Sequence, residues 1–127
     1  MKKQIKKFNI FEIEHFNGLL NDFKVIFNEK NSELTHILSS NTLESIKKEE
    51  INKLLFVVLQ YDNTIKNIQA RFVAFKKSTE FKDLNENNKN LVKVFGKKIN
   101  KNILECKKLI EKCEAFFNID EKTTNLL

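Results

Sequence analysis

Between Ile51 and Phe75 eight apolar residues, Ile51, Leu54, Val58, Tyr61, Ile65, Ile68, Phe72 and Phe75, recur at alternating steps of three and four without a miss, in a chain of 127 residues that contains no proline. At about 100° per residue these positions form one stripe of a helix, and an unbroken stripe of this length is the face a long helix turns toward other long helices. Apolar residues do not alternate in steps of two over any useful length, and the abundance of Asn and Lys disfavours sheet. With no proline and only Gly18 and Gly96 as glycines, sharp turns are scarce and long helices are favoured. The pattern predicts an all-α protein.

The same rhythm marks two further helices. The first is expected from Phe8–Ile13 to about Leu38, with its seam at Ile13, Phe16, Leu20, Phe23, Phe27, Leu34 and Ile37 and one polar interruption at Lys30. Ser39, Ser40, Asn41 and Thr42 break it, since such side chains compete with helical backbone bonds, and Asn41 with Glu44 has the spacing of a capping box. The second helix then covers about Leu43 to Phe75, a rod of about 50 Å. Lys76, Lys77, Ser78 and Thr79 suit a helix end followed by a new start. A third helix is expected from about Glu80 to Asn118, its seam at Leu84, Asn88, Leu91 and Phe95, then, after a step of four beside Gly96, at Ile99, Ile103, Cys106, Ile110, Cys113 and Phe117. The tail from Ile119 is expected to fray, with Leu126 and Leu127 free to dock. Short connections between long helices predict one domain over residues 1–127, an elongated, coiled-coil-like antiparallel bundle of three helices running up-down-up.

The net charge is +6, and all but one of the 23 basic residues is lysine. Lysine doublets at 2–3, 6–7, 47–48, 76–77, 97–98 and 107–108 are spread along the chain with acids close to several of them. That scatter predicts weak, salt-sensitive nucleic-acid binding or none. Cys106 and Cys113, two helical turns or about 10 Å apart, cannot close a disulfide within a helix and read as core thiols of a reducing compartment. Glu12, Glu14 and His15 interrupt any signal-peptide core, and the longest apolar run, Leu54 to Leu59, is too short for a membrane span, so a cytoplasmic protein is expected. The two histidines, His15 and His36, are 21 residues apart on one helix, and the cysteines lack a ligand spacing. There is no phosphate loop, nucleophile elbow or dinucleotide fingerprint. The expectation is a protein without enzymatic activity, metal or cofactor.

Two surfaces exceed what a three-helix core needs. Across Leu54–Leu59 the helix is apolar all round, and Phe56 points nearly opposite Val58. Either Phe8 and Phe11 fold back over that ring, or a partner or a second copy of the chain covers it. At the end of the third helix Cys106, Leu109, Ile110, Cys113, Phe116 and Phe117 form an apolar arc of about 120°. Surplus apolar surface on a helical rod suits an amphipathic helix from a protein partner.

Residues 28–59, NEKNSELTHILSSNTLESIKKEEINKLLFVVL, and residues 83–110, DLNENNKNLVKVFGKKINKNILECKKLI, resemble the FlgN-type flagellar export chaperones. The second stretch is similar to that family's Leu-Asn-x-x-Asn-x-x-Leu helix start at Leu84, Asn85, Asn88 and Leu91. The resemblance implies a helical cytoplasmic chaperone that binds the C-terminal amphipathic segments of hook-associated subunits and brings them to the export gate. It places the client face on the C-terminal helix, at Phe95, Ile103, Leu109, Ile110, Phe116 and Phe117. The rival reading is a small helical inhibitor or nucleic-acid-associated binding protein of mobile-element origin. A dimeric or four-chain assembly module is a third.

Overall fold

The computed structural model describes the backbone of residues 8–126 and the side chains of residues 8–118. The lysine doublets at 2–3 and 6–7, Leu127 and the side chain of Leu126 lie outside the described residues. Four helices follow one another, α1 (Ile10–Ser39), α2 (Glu44–Lys76), the single turn α3 (Thr79–Lys82) and α4 (Glu86–Leu126). No strand occurs among the described residues, and each of the three long helices touches the other two. The protein is an all-α helical bundle.

The helix starts are set by side chains of the Asn and Ser type. Asn9 caps α1 in a reciprocal box: its side chain accepts the Glu12 N–H at 2.9 Å, and the Glu12 carboxylate accepts the Asn9 N–H at 3.3 Å. Phe8 and Ile13, at the flanking positions where apolar residues staple such a box, are both fully buried. The box expected at Asn41 and Glu44 does not form. The backbone stays out of helix through Leu43, which becomes the N-cap without a side-chain bond, while the Ser40 hydroxyl bonds the Ile37 carbonyl and Thr42 instead. Ser78 caps α3 by accepting the Phe81 N–H, and Asn85 accepts the Asn88 N–H at 2.8 Å as α4 begins. Two capping residues seven apart thus split the expected third helix at Asp83–Asn85. At its other end α4 continues as helix to Leu126, beyond the expected end near Asn118.

The α2 stripe forms the core much as its spacing dictates. Ile51, Leu54, Val58, Ile65, Ile68, Phe72 and Phe75 are buried, while Tyr61 is half-buried with its ring against Phe23 and Phe27 of α1. On α1, Ile13, Leu20, Phe23, Phe27 and Leu34 are buried, with Phe16, Lys30 and Ile37 at the margin. The α4 seam differs from expectation. The buried positions are Val92, Phe95, Ile99, Asn102, Cys106, Leu109 and Cys113, an unbroken three-four alternation. No extra step of four occurs; Ile103 and Ile110 lie half-buried on one side of this seam and Leu91 half-buried on the other. A polar residue holds the central position: Asn102 is 4% exposed and its amide donates to the Leu20 carbonyl at 3.1 Å. An apolar template steps over it.

Cross-helix contacts fix which parts meet. Between α1 and α2, Glu12 pairs with Arg71 at 2.6 Å, Phe23 packs on Tyr61, and Lys47 donates to the Leu38 carbonyl. Between α2 and α4, Phe72 packs on Phe95, and the Cys106 thiol meets the Val58 carbonyl. Asn102 and Lys112 of α4 reach Leu20 and Asn31 of α1.

Candidate partner-binding surface

Tyr61 and Asp62 of α2 turn to different neighbours, and this divides the helix surface. Tyr61 faces α1, whereas Asp62, one position on, lies beside Cys106 of α4 and bonds Lys66 at 2.8 Å. The flank of α2 toward α4 therefore carries Leu55, Leu59, Asp62, Lys66, Gln69 and Val73, all within about 100° of Val58 in the direction away from Tyr61. On α4 the facing flank carries Val92, Gly96, Ile103, Lys107, Ile110 and Phe117. A furrow runs between them. Toward one end it opens into a cleft of about 340 Å³ lined by Asp62, Lys66, Ile103 and Ile110 together with Lys107, Glu111 and Glu114. Toward the α3 end it widens to about 550 Å³ over Phe72, Val92, Ile99 and Gly96.

The expected partner residues divide among three environments. Phe56 is 64% exposed on the outer side of α2, beside the partly exposed Leu59. Phe8 does not cover it: that ring is buried near the other end, against Phe16, Phe95 and the Arg71 guanidinium, while Phe11 is 81% exposed. Ile103, Ile110, Phe116 and Phe117 are half-buried, the last two with ring centroids 5.5 Å apart. Phe95 and Leu109, expected on the client face, are instead core residues, 0% and 3% exposed. The reason is the Asn102 position, which turns the seam toward Leu109 and leaves Ile103 and Ile110 on the flank. Phe95 and Leu109 are thus unavailable to a partner unless the bundle opens.

The chemically reactive side chains are held quiet. Burial, with Asp62 alongside, pushes the Cys106 thiol up to about 12, and burial followed by the Glu114 charge pushes Cys113 to about 11. Both cysteines are free and carry their protons at neutral pH, so neither is a nucleophile in the folded protein. The Asp62 hydrogen bond and charge raise the Lys66 ammonium above its ordinary value, which keeps that lysine cationic. His15 and His36 are both exposed on α1. Among the described residues no three His, Cys, Asp or Glu side chains gather as a metal site, and no helix is long and apolar enough to cross a membrane.

Three features of this surface escape an apolar-pattern reading. Asn102 is a buried polar residue inside the otherwise apolar α4 seam, and Asp62 is one on the α2 flank that faces α4. The Asn102 position was available in principle, because Phe95, Asn102 and Leu109 are spaced by seven just as Val92, Ile99, Cys106 and Cys113 are. The gathering of Lys76, Lys89, Lys93 and Lys97 around one cleft is visible only once α2 and α4 are side by side. The chain has no significant match among protein-family models, characterised proteins or solved structures.

Proposed function

We propose that this chain is a non-enzymatic cytoplasmic binding protein, an export chaperone that holds an amphipathic C-terminal helix of flagellar hook-associated proteins. In this reading α1, α2 and α4 run up-down-up as an elongated, coiled-coil-like bundle, and the client helix lies along the α2/α4 furrow as a fourth member. The observation that supports it is the pair Ile103 and Ile110. They are spaced by two turns, half-buried, and border the furrow on the side away from the α4 contacts with Leu20 and Asn31, with Phe117 a further two turns on. A client offering apolar residues every three or four positions would complete the burial these side chains only begin. Phe56 and Leu59 extend the apolar surface around α2.

Co-purification with C-terminal fragments of the organism's hook-associated proteins tests this. Wild type is expected to capture such a fragment, and Ile110→Asp or Phe117→Asp to weaken capture by about tenfold or more, because a client helix would lose apolar contact and meet an unpaired charge. Thermal unfolding of the variants, measured alongside, separates lost binding from lost fold. Failure of wild type to capture any of the fragments removes the chaperone role. The rival, a helical inhibitor that engages nucleic acid, draws on the lysine-lined cleft and predicts duplex binding that survives physiological salt.

A further inference from the structure

The wide end of the α2/α4 furrow differs from the rest of the surface in its charge. Its floor is Phe72, Val92, Ile99 and the bare backbone of Gly96, and it encloses about 550 Å³. Gly96 makes that floor low: a Cβ there would stand 3.1 Å from Phe72 Cε1, so the Phe72 ring lies directly against the α4 backbone. Around the floor stand Lys76 from α2 and Lys89, Lys93 and Lys97 from α4, the last three stacked at steps of four. Among the described residues no acidic one lines the cleft.

Some lysines elsewhere have an acid on their own helix. Lys30 meets Glu33, Lys53 meets Glu49 and Lys66 meets Asp62, each within one helical turn. None of the four cleft lysines has an ion pair among the described residues, and Lys76 instead lies 5.6 Å from the Phe72 ring centroid. Like charges stacked at steps of four repel, so the row on α4 is unfavourable in the free protein. A partner bringing negative charge would relieve that repulsion, and one bringing apolar side chains would cover the floor.

We infer that this cleft is the docking site for an acidic amphipathic helix of a protein partner, whose apolar edge lies on Phe72, Val92 and Ile99 while Asp and Glu on its flanks meet Lys76, Lys89, Lys93 and Lys97. The inference rests on the helix-holding reading and adds to it where the helix enters and what charge it carries. From Lys89 to Asn100 the lined stretch of α4 covers about 16 Å, matching about three turns of a partner helix. The apolar floor offers a partner helix surface to bury, which phosphates alone would leave uncovered.

The test uses the full chain and a fluorescent synthetic helix of about 18 residues, with a leucine stripe flanked by glutamates, followed by anisotropy. A companion helix with lysine flanks and a short DNA duplex serve as the other two probes. The acidic helix is expected to bind, to weaken as salt is raised, and to lose about tenfold or more in affinity to Lys93→Glu/Lys97→Glu. The charge-matched control Lys101→Glu/Lys108→Glu, outside the cleft, is expected to change affinity by less than about threefold. Equal binding of the lysine-flanked helix, no binding of the acidic one, or an unchanged affinity in the cleft variant overturns the inference. Tighter binding of the duplex, lost in the same variant, overturns it in favour of nucleic acid. Should wild type capture hook-associated fragments and Lys93→Glu/Lys97→Glu do so equally well, the charge assignment falls while the chaperone reading stands. Should the acidic helix bind at the lysines and no such fragment be captured, the reverse holds.

Discussion

The two halves of the α4 seam enter the core by different means. Where the start of α1 meets the end of α2 and the start of α4, rings dominate: Phe8 packs on Phe16 and Phe95, Phe95 on Phe72, and Phe75 on Phe81. Arg71 closes this end, its guanidinium 4.1 Å from the Phe8 ring and paired with Glu12. Further along α4 the seam narrows to Asn102, Cys106, Leu109 and Cys113, and buried polar groups enter at Asp62 and Asn102. Aromatic rings bury more area per residue and tolerate truncation poorly. Small side chains and hydrogen bonds leave more of the fit to neighbouring flanks, and there Ile103, Ile110 and Phe117 remain only half-covered. The furrow runs past both halves and is widest at the aromatic one.

Ile65, at the junction of the halves and fully buried, gives the largest expected effect. Ile65→Asp places a charge in the core without a partner and is expected to cost about 4 kcal/mol or more, unfolding the protein or nearly so by chemical denaturation. The contrast between halves is sharpened by paired truncations. Phe95→Ala is expected to lose about 3–5 kcal/mol, whereas Cys113→Ala should lose only about 1 kcal/mol. Equal losses would break the comparison.

The buried thiols give a pH dependence confined to the narrow half. Their folded values, about 12 and about 11, lie above the ordinary 9.0, so between those limits the folded state holds protons that the unfolded state has released. Their contribution is fully present below pH 9 and is lost as pH rises through the folded values, a fall on the order of 2 kcal/mol for each thiol by about pH 11. Denaturation midpoints of wild type and of Cys106→Ala/Cys113→Ala across this range isolate the effect, which the double variant should lack. Arg71→Ala, at the aromatic end, is expected to cost about 1–2 kcal/mol through the lost ring contact and ion pair, read as a lowered melting temperature. Smallest of all, Phe56→Ser should change stability by less than about 0.5 kcal/mol, since the ring is largely exposed. A weaker co-purified partner at unchanged stability would then mark Phe56 as contact surface.

Legibility in the sequence followed the same division. The α2 stripe was readable because nearly every core position there is apolar and unbroken by glycine, and seven of the eight chosen residues are buried. On α4 an apolar template preferred Ile103 and Ile110 to Asn102 and Leu109, because hydrophobicity alone cannot show that a carbonyl waits at Leu20 to accept an amide. Helix ends were misread for a related reason. Asn, Ser and Thr are abundant, so several could cap, and whether Asn41 starts α2 as Asn9 starts α1 depends on where the backbone enters the helical region. The cleft was the least legible part: its lysines come from separate segments and become neighbours only through packing.

The Asn102 to Leu20 bond bears on how many ways these helices could mesh. Val92, Ile99, Cys106 and Cys113 repeat every seven residues, so sliding α4 past its neighbours by about 10 Å would set apolar on apolar again at little hydrophobic loss. Such slippage would push the Phe95 ring or the Leu109 side chain into a space shaped for an amide and would part Asn102 from Leu20. Two penalties, one steric and one polar, then fall on every slid alignment together, and the near-repeating rod retains a single way to assemble. A helix docking as proposed would meet a bundle whose own members are already indexed, and would add to the assembly without trading places with them.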